Sequence, residues 1–165
     1  MLEPEAHGNP APGSNPLITL DFDTAIAGSQ GIEVTDADLF PSPLIIAAGQ
    51  SFNVATEFIL AGIWSTSWFH THHIQFDINY YAEPMTGGGP NEHLGTIVMF
   101  TDNVAAVVHV VPPSVSYNVP LTRVAVAKNP LSPGLYRLTA TASFSSAPCP
   151  WPLNAYITGP VLEVY

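Results

Sequence analysis

The sequence predicts an all-β protein, an antiparallel sandwich of about 8–10 strands, on three observations. From Leu17 onward, short apolar runs alternate with clusters of Pro, Gly, Asn, Asp and Ser, and no helical i, i+3, i+4, i+7 stripe emerges. Seventeen prolines and twelve glycines in 165 residues interrupt the chain too often for long helices. The stretch Trp68–Tyr81 alternates at period two, with Trp68, His70, His72, Ile74, Phe76, Ile78 and Tyr80 on one side and Phe69, Thr71, His73, Gln75, Asp77, Asn79 and Tyr81 on the other.

Taken in order, residues 1–16 are expected to form an extended Pro/Gly-rich arm, because EPEAHGNPAPGSNP cannot nucleate a helix. Residues 17–165 are expected to form a single domain with one core. Strands are predicted at Leu17–Phe22, Ile32–Val34, Leu44–Ala47, Ser51–Leu60, Phe69–Glu83, Leu94–Thr101, Ala105–Val111, Leu121–Ala127, Leu135–Phe144 and Val161–Tyr165. Asp36–Phe40 is long enough for one helical turn and no more. With 47% apolar residues the chain can bury roughly 70% of its unfolded surface, so neither disulfide nor metal is needed for folding. The single cysteine, Cys149, sits between two prolines and has no intramolecular partner.

Two stretches narrow the architecture. In Leu44–Phe58 a short strand turns at Gly49 into a longer one that presents Phe52, Val54, Thr56 and Phe58 on one face; in Pro133–Phe144 a Pro-Gly turn feeds a strand whose second residue is Tyr136. Together these resemble the bacterial immunoglobulin-like β-sandwich. There an "aGqsf" turn opens the second strand and a "GxYxlta" segment opens the penultimate one. The resemblance spans Leu44 to Tyr165, with the closing segment Tyr156–Tyr165 suited to the last strand. It implies that the Tyr136 hydroxyl bonds back to the preceding loop as a tyrosine corner. Leu138 stands where antibody domains carry a cysteine, so the resemblance is to the broad sandwich class. It brings no function with it.

Charge excludes several partners. Asp, Glu, Lys and Arg make up 10% of the chain, against about 25% in ordinary soluble domains. Thirteen acids face three bases, Arg123, Lys128 and Arg137, for a formal charge of −10. Nucleic acid and anionic membranes require clustered positive charge, which is missing. No stretch approaches 18 consecutive apolar residues, and Met1–Gly8 has no basic start or apolar core of a leader. The expectation is a soluble protein, either cytoplasmic or secreted with its leader removed.

Chemistry, if present, is expected at the histidines. His70 and His72 on one strand face would stand about 6.5 Å apart, suited to zinc or copper once a third ligand joins them. His93, after the Gly87-Gly88-Gly89 loop, and His109, within an apolar strand, are the candidates for that place; Asp77 and Glu92 are the nearest carboxylates. His70-x-His72 with the distant Glu92-His93-Leu94 is similar to the zinc set of alpha-type carbonic anhydrases, although the chain is too short for that fold. His70-x-His72 with Asp77 is similar to the cupin ligand pattern, with aspartate in place of glutamate. Gly-x-Ser-x-Gly is absent, Gly87-Gly88-Gly89 leads into a strand rather than a phosphate-binding helix, and Asp21/Asp23 and Asp36/Asp38 lack the rest of a calcium loop.

Aromatic residues offer a further surface. Trp64, Trp68, Phe69, Tyr80, Tyr81 and Trp151 would form a platform for carbohydrate or protein if several shared an exposed face, and a core otherwise. The sequence therefore favours a non-enzymatic structural or binding module without cofactor, which meets a protein partner or a second copy of itself. The alternative is a zinc- or copper-dependent hydrolase or lyase built on His70, His72 and a third ligand.

Overall fold

The structure, a computed structural model, describes residues 6–8, 19–22, 31–36, 44–62, 71–102, 107–111, 114–124, 131–144 and 153–165, with side chains placed in 31–35, 44–62, 71–102, 131–144 and 154–165. Among these residues all regular structure is strand: β1 (Ala6–Gly8), β2 (Thr19–Phe22), β3 (Ile32–Asp36), β4 (Ile45–Ile46), β5 (Phe52–Ala61), β6 (Gln75–Pro84), β7 (Glu92–Phe100), β8 (Val107–Val111), β9 (Ser114–Val124), β10 (Gly134–Phe144) and β11 (Leu153–Val164). They form two sheets. The larger runs β1-β11-β10-β6-β7 with β4 added to β11, and the smaller runs β2-β5-β9-β8 with β3 added to β5. The all-β sandwich expected from the periodicity is the architecture found. Its pairs are antiparallel apart from β4 with β11, which run parallel.

The apolar faces of β5, β6 and β10 alternate as the sequence requires, and they meet between the sheets. Phe58 of the smaller sheet sits edge-on to Phe76 at 4.9 Å and to Phe144 at 6.1 Å, while Phe76 and Phe144, both of the larger sheet, stack at 5.2 Å. Ile74, Ile78, Leu60, Leu138 and Ile157 complete this buried centre. Tyr80 is buried beside it, with its hydroxyl held by a backbone hydrogen bond at Thr56 across the sandwich. Burial raises its pKa well above the ordinary tyrosine value, and the hydrogen bond offsets only part of that rise. Thr56 in turn donates its hydroxyl to the Gly31 carbonyl at 2.8 Å.

Several predicted boundaries move. The turn at Gly49 forms as expected: Gln50 N–H donates to Ala47 O, and Gly49 holds the positive φ of 82° that this position needs. The Tyr136 hydroxyl donates to the Ser132 carbonyl at 2.9 Å, the corner contact that the resemblance implied. By contrast, β9 begins at Ser114 rather than Leu121 and carries Pro120 within it. Among the described residues β8 pairs β9 only as far as Tyr117, and Pro120, which has no N–H to donate, is paired opposite Ala55 of β5. Ala6–Gly8, inside the predicted arm, pairs antiparallel with β11.

The last strand, Leu153–Val164, begins well before the Val161–Tyr165 run read from periodicity and takes in most of the Tyr156–Tyr165 segment that the resemblance assigns to it, because Gly159 and Pro160 do not break it. They form a bulge instead: Arg137 pairs Val161 and Thr139 pairs Thr158, so β11 holds one extra residue. The bulge changes which residues face out. Before it Tyr156 and Thr158 point outward and Ala155 and Ile157 inward; after it Val161 and Glu163 point outward and Leu162 and Val164 inward. Gly159 is pressed on Ile32 of the other sheet so closely that a Cβ would lie 2.8 to 2.9 Å from three of its atoms.

Gly159→Ala is therefore expected to cost about 1–3 kcal/mol by overpacking against a fully buried side chain, measured by urea unfolding. Tyr80→Phe leaves the Thr56 backbone group without its partner and is expected to cost about 1–3 kcal/mol while preserving the fold. Because the native state holds the Tyr80 proton more tightly than the unfolded chain, its contribution is complete below the unfolded tyrosine pKa of about 10 and is lost as pH rises above that value. The alkaline fall of stability should accordingly be shallower in Tyr80→Phe, as read from melting temperature against pH.

Candidate functional site

The histidine strand does not run as its periodicity suggests. Thr71–Ile74 lie outside any strand, and β6 starts at Gln75, opposite the last residue of β7, Phe100. Thr101, fully buried, explains the change. Its hydroxyl donates to the His72 carbonyl at 2.6 Å and accepts from the Ile74 N–H at 3.3 Å, and its own N–H donates to the Ile74 carbonyl at 3.0 Å. The Ile74 N–H also reaches His72 O at 3.0 Å, closing a three-residue turn at His73. With backbone groups satisfied by turn and threonine, the chain leaves the sheet there, and His72 is exposed rather than continuing the inward line.

Of the predicted ligands, His72 and His93 are described, and they stand apart. His93 pairs opposite Tyr81, and the rise from Gln75 to Tyr81 is about 20 Å at strand pitch. His93 thus stands at the far end of the hairpin from His72, well beyond the roughly 5 Å over which two ligands share one zinc. His70 lies outside the described residues; the backbone of His109 is in β8, opposite Ser116, and its side chain is also outside them. No group of three His, Cys, Asp or Glu that could hold a metal occurs among the described residues. His73, expected to face outward, stacks on Phe100 at 3.7 Å and donates from Nδ1 to both oxygens of Asp102 at 2.9 and 3.0 Å.

What the fold does assemble is the outer face of the larger sheet. Its ladders set Thr96, Asn79, Thr141 and Tyr156 in one row across β7, β6, β10 and β11, and His93, Tyr81, Thr139 and Thr158 in the next. These side chains are polar and uncharged apart from the titratable imidazole. Thr96 donates its single hydroxyl proton to Asn79 Oδ1 at 2.6 Å, so in its 3.1 Å contact with His93 Nε2 the imidazole must be the donor. The His93 ring tilts against Tyr81 with centroids 5.2 Å apart. Tyr156 is 45% exposed.

Beyond this polar middle the same face turns apolar. Leu135 pairs Glu163, which pairs Ile45; Met85 donates its N–H to Leu135 O; Val161 and Tyr165 continue the outward alternation of β11. Ile45, Met85, Leu135, Val161 and Tyr165 are all among the exposed large apolar side chains, Leu135 at 41% and Tyr165 at 67%. Arg137, Glu83 and Glu163 lie among them.

Of the six aromatic residues named as a platform, Tyr81 is on this face and Tyr80 is in the core, where the opposite parity of β6 places it. Trp64, Trp68, Phe69 and Trp151, like Cys149, Asp23 and Asp38, lie outside the described residues. Tyr156, which the resemblance places in the last strand, was not named among the platform aromatics. Its signal was the alternation Ala155, Tyr156, Ile157, Thr158.

No family model and no curated protein matches the chain. Among solved structures, the C-terminal domain of Wzt is similar with a TM-score of 0.52 at 11% identity, over 99% of this chain and 78% of that one. A β-glucosidase from Listeria innocua, solved with gluconolactone, is similar at a TM-score of 0.37 and 15% identity, over 83% of this chain and 16% of that one. The first likeness is one of fold, and the second is too distant to bear on it. Within that fold the Thr101 contacts decide where the histidines go: Thr101→Val, which removes both hydroxyl bonds, is expected to cost about 1–3 kcal/mol and to speed amide exchange at Ile74 as seen by NMR.

Proposed function

We propose that this chain is a non-enzymatic, immunoglobulin-like binding module that docks a protein, a second copy of itself foremost, through the outer face of its larger sheet. The observation that carries this reading is the gathering of Ile45, Met85, Leu135, Val161 and Tyr165 at one end of that face. Apolar side chains scattered singly need no explanation, whereas a contiguous patch rimmed by polar residues is the signature of a contact surface. The two-sheet arrangement and the Tyr136 corner support the immunoglobulin-like assignment.

The charges at the patch favour a second copy. The Arg137 side chain makes no hydrogen bond or ion pair among the described residues, although Glu83 is directly opposite it and Glu163 lies on the neighbouring strand. A two-fold contact repeats each interaction, so one copy's Arg137 meets the other copy's Glu163 and the reverse. In a chain of net charge −10, such a cation at the patch also locally relieves the repulsion between copies. Residues 1–16 fit the role of an arm along the sheet, since Ala6–Gly8 already extends it beside β11.

Sedimentation velocity across micromolar concentrations is expected to show a dimer that grows with concentration. Leu135→Glu, which buries a carboxylate in the contact, should weaken it about tenfold or more. A strict monomer at every concentration would remove the second copy as occupant.

A further inference from the structure

We infer that the polar middle of the outer face is a saccharide site, shaped for a neutral hexose chain of two or three units. This rests on the reading of that face as the binding surface and names a ligand for the part of it that the apolar end does not occupy.

Shape is the first argument. The outward residues of β10 in this region, Thr139 and Thr141, are small, while the strands on either side carry the rings of Tyr81 and Tyr156. Small residues on one strand between rings on its neighbours leave a shallow trough along β10. The Cα positions of Tyr81 and Tyr156 are separated by two strand spacings and one step along the strands, about 12 Å. That is the reach of a short oligosaccharide lying across the trough with a ring at each end.

Chemistry is the second. A hexose presents an apolar face of C–H groups, which packs on an aromatic ring, and a rim of hydroxyls, each both donor and acceptor. The two tyrosines supply flat surfaces at small entropic cost. Thr139 and Thr141 supply hydroxyls that rotate to either role, and Asn79, whose Oδ1 is taken by Thr96, keeps its amide hydrogens for an outside acceptor. No Lys or Arg stands in these two rows, and Arg137, the next outward residue of β10, has Glu83 opposite it, so the threonine floor itself offers an anionic sugar no counter-charge. A protein contact of the ordinary kind favours apolar and Arg anchors at its centre; a floor of threonine hydroxyls fits a polyol better.

The test is an array of neutral gluco-, galacto- and manno-oligosaccharides of two to six units, with uronic-acid oligosaccharides as the anionic arm, and titration calorimetry on whichever neutral chain binds. The full chain is expected to retain at least one neutral oligosaccharide. Tyr156→Ala and Tyr81→Ala should each lower its affinity about tenfold, and Thr141→Tyr, which fills the trough while keeping both rings, should abolish it. Leu135→Glu should leave it unchanged. Because all four positions are exposed or half-buried on the outer face, an unaltered melting temperature checks that each variant is folded. Three outcomes overturn the site: no neutral oligosaccharide bound at millimolar concentration, binding untouched by Thr141→Tyr, or Tyr81→Ala and Tyr156→Ala altering sedimentation instead, which would make the middle a protein contact. A saccharide-binding monomer would retain the site and refute the apolar docking end; a dimer that binds no saccharide would do the reverse.

Discussion

Phe58, Phe76 and Phe144 hold the two sheets in one relative position, and every outward-facing surface follows from it. Phe58 comes from the smaller sheet and the other two from adjacent strands of the larger, so the edge-on contacts of 4.9 and 6.1 Å interlock side chains across the interior. Such pairs are worth about 0.5–1.5 kcal/mol beyond their buried area, but their larger effect here is on register. A slip of β6 by one residue would move Phe76, Ile78 and Tyr80 into water together with their neighbours. The Tyr80 hydroxyl adds a directional tie at Thr56, and a phenol buried there is held in its neutral form. Together, apolar area and one satisfied polar group specify the packing that area alone would leave looser.

The outer face depends on a local irregularity in that arrangement. Without the extra residue at Gly159-Pro160, the alternation begun at Tyr156 would turn Leu162 and Val164 to solvent. With it, both return to the core, and Val161, Glu163 and Tyr165 join Tyr156 and Thr158 outside. Proline lacks the donor that a regular ladder would need, and glycine lacks the Cβ that Ile32 would exclude. The same two residues thus permit close approach of the sheets and divide the outer face into a polar middle and an apolar end. A threonine floor between two rings and an apolar end with mixed charge are different chemistries on one continuous surface, and they suit different ligands.

Much of this was legible in the chain. The inward sets Phe52, Val54, Phe58 and Phe76, Ile78, Tyr80 follow from period two, as does the long run of β10, and the Gly49 turn follows from its glycine. Tyr136 was read through its resemblance to a known corner, and its hydroxyl reaches Ser132. The ends were less legible, since a strand stops where its partner stops. Nothing in Thr71-His72-His73 announces that Thr101, distant in sequence, will satisfy His72 O and Ile74 N–H and turn the chain away. The runs read from periodicity start only after Pro120 and Pro160, because alternation alone does not state where a ladder tolerates a missing donor.

By itself the sequence determined the class and the inward face: alternation of apolar residues decides which side of each strand leaves water, and frequent Pro and Gly decide that strands rather than helices do so. The shortage of Lys and Arg is likewise read from composition alone. Only the tertiary structure decided which outward residues stand together. Tyr81 and Tyr156 are on strands far apart in sequence that β10 separates, and Ile45 reaches Leu135 only through Glu163 of β11. Likewise His93, a candidate third ligand for the His70/His72 pair, is held at the opposite end of one hairpin from His72. Period two sets the direction of a side chain, whereas its neighbours are set by ladder register, bulges and strand order, and these arise from pairings between distant segments.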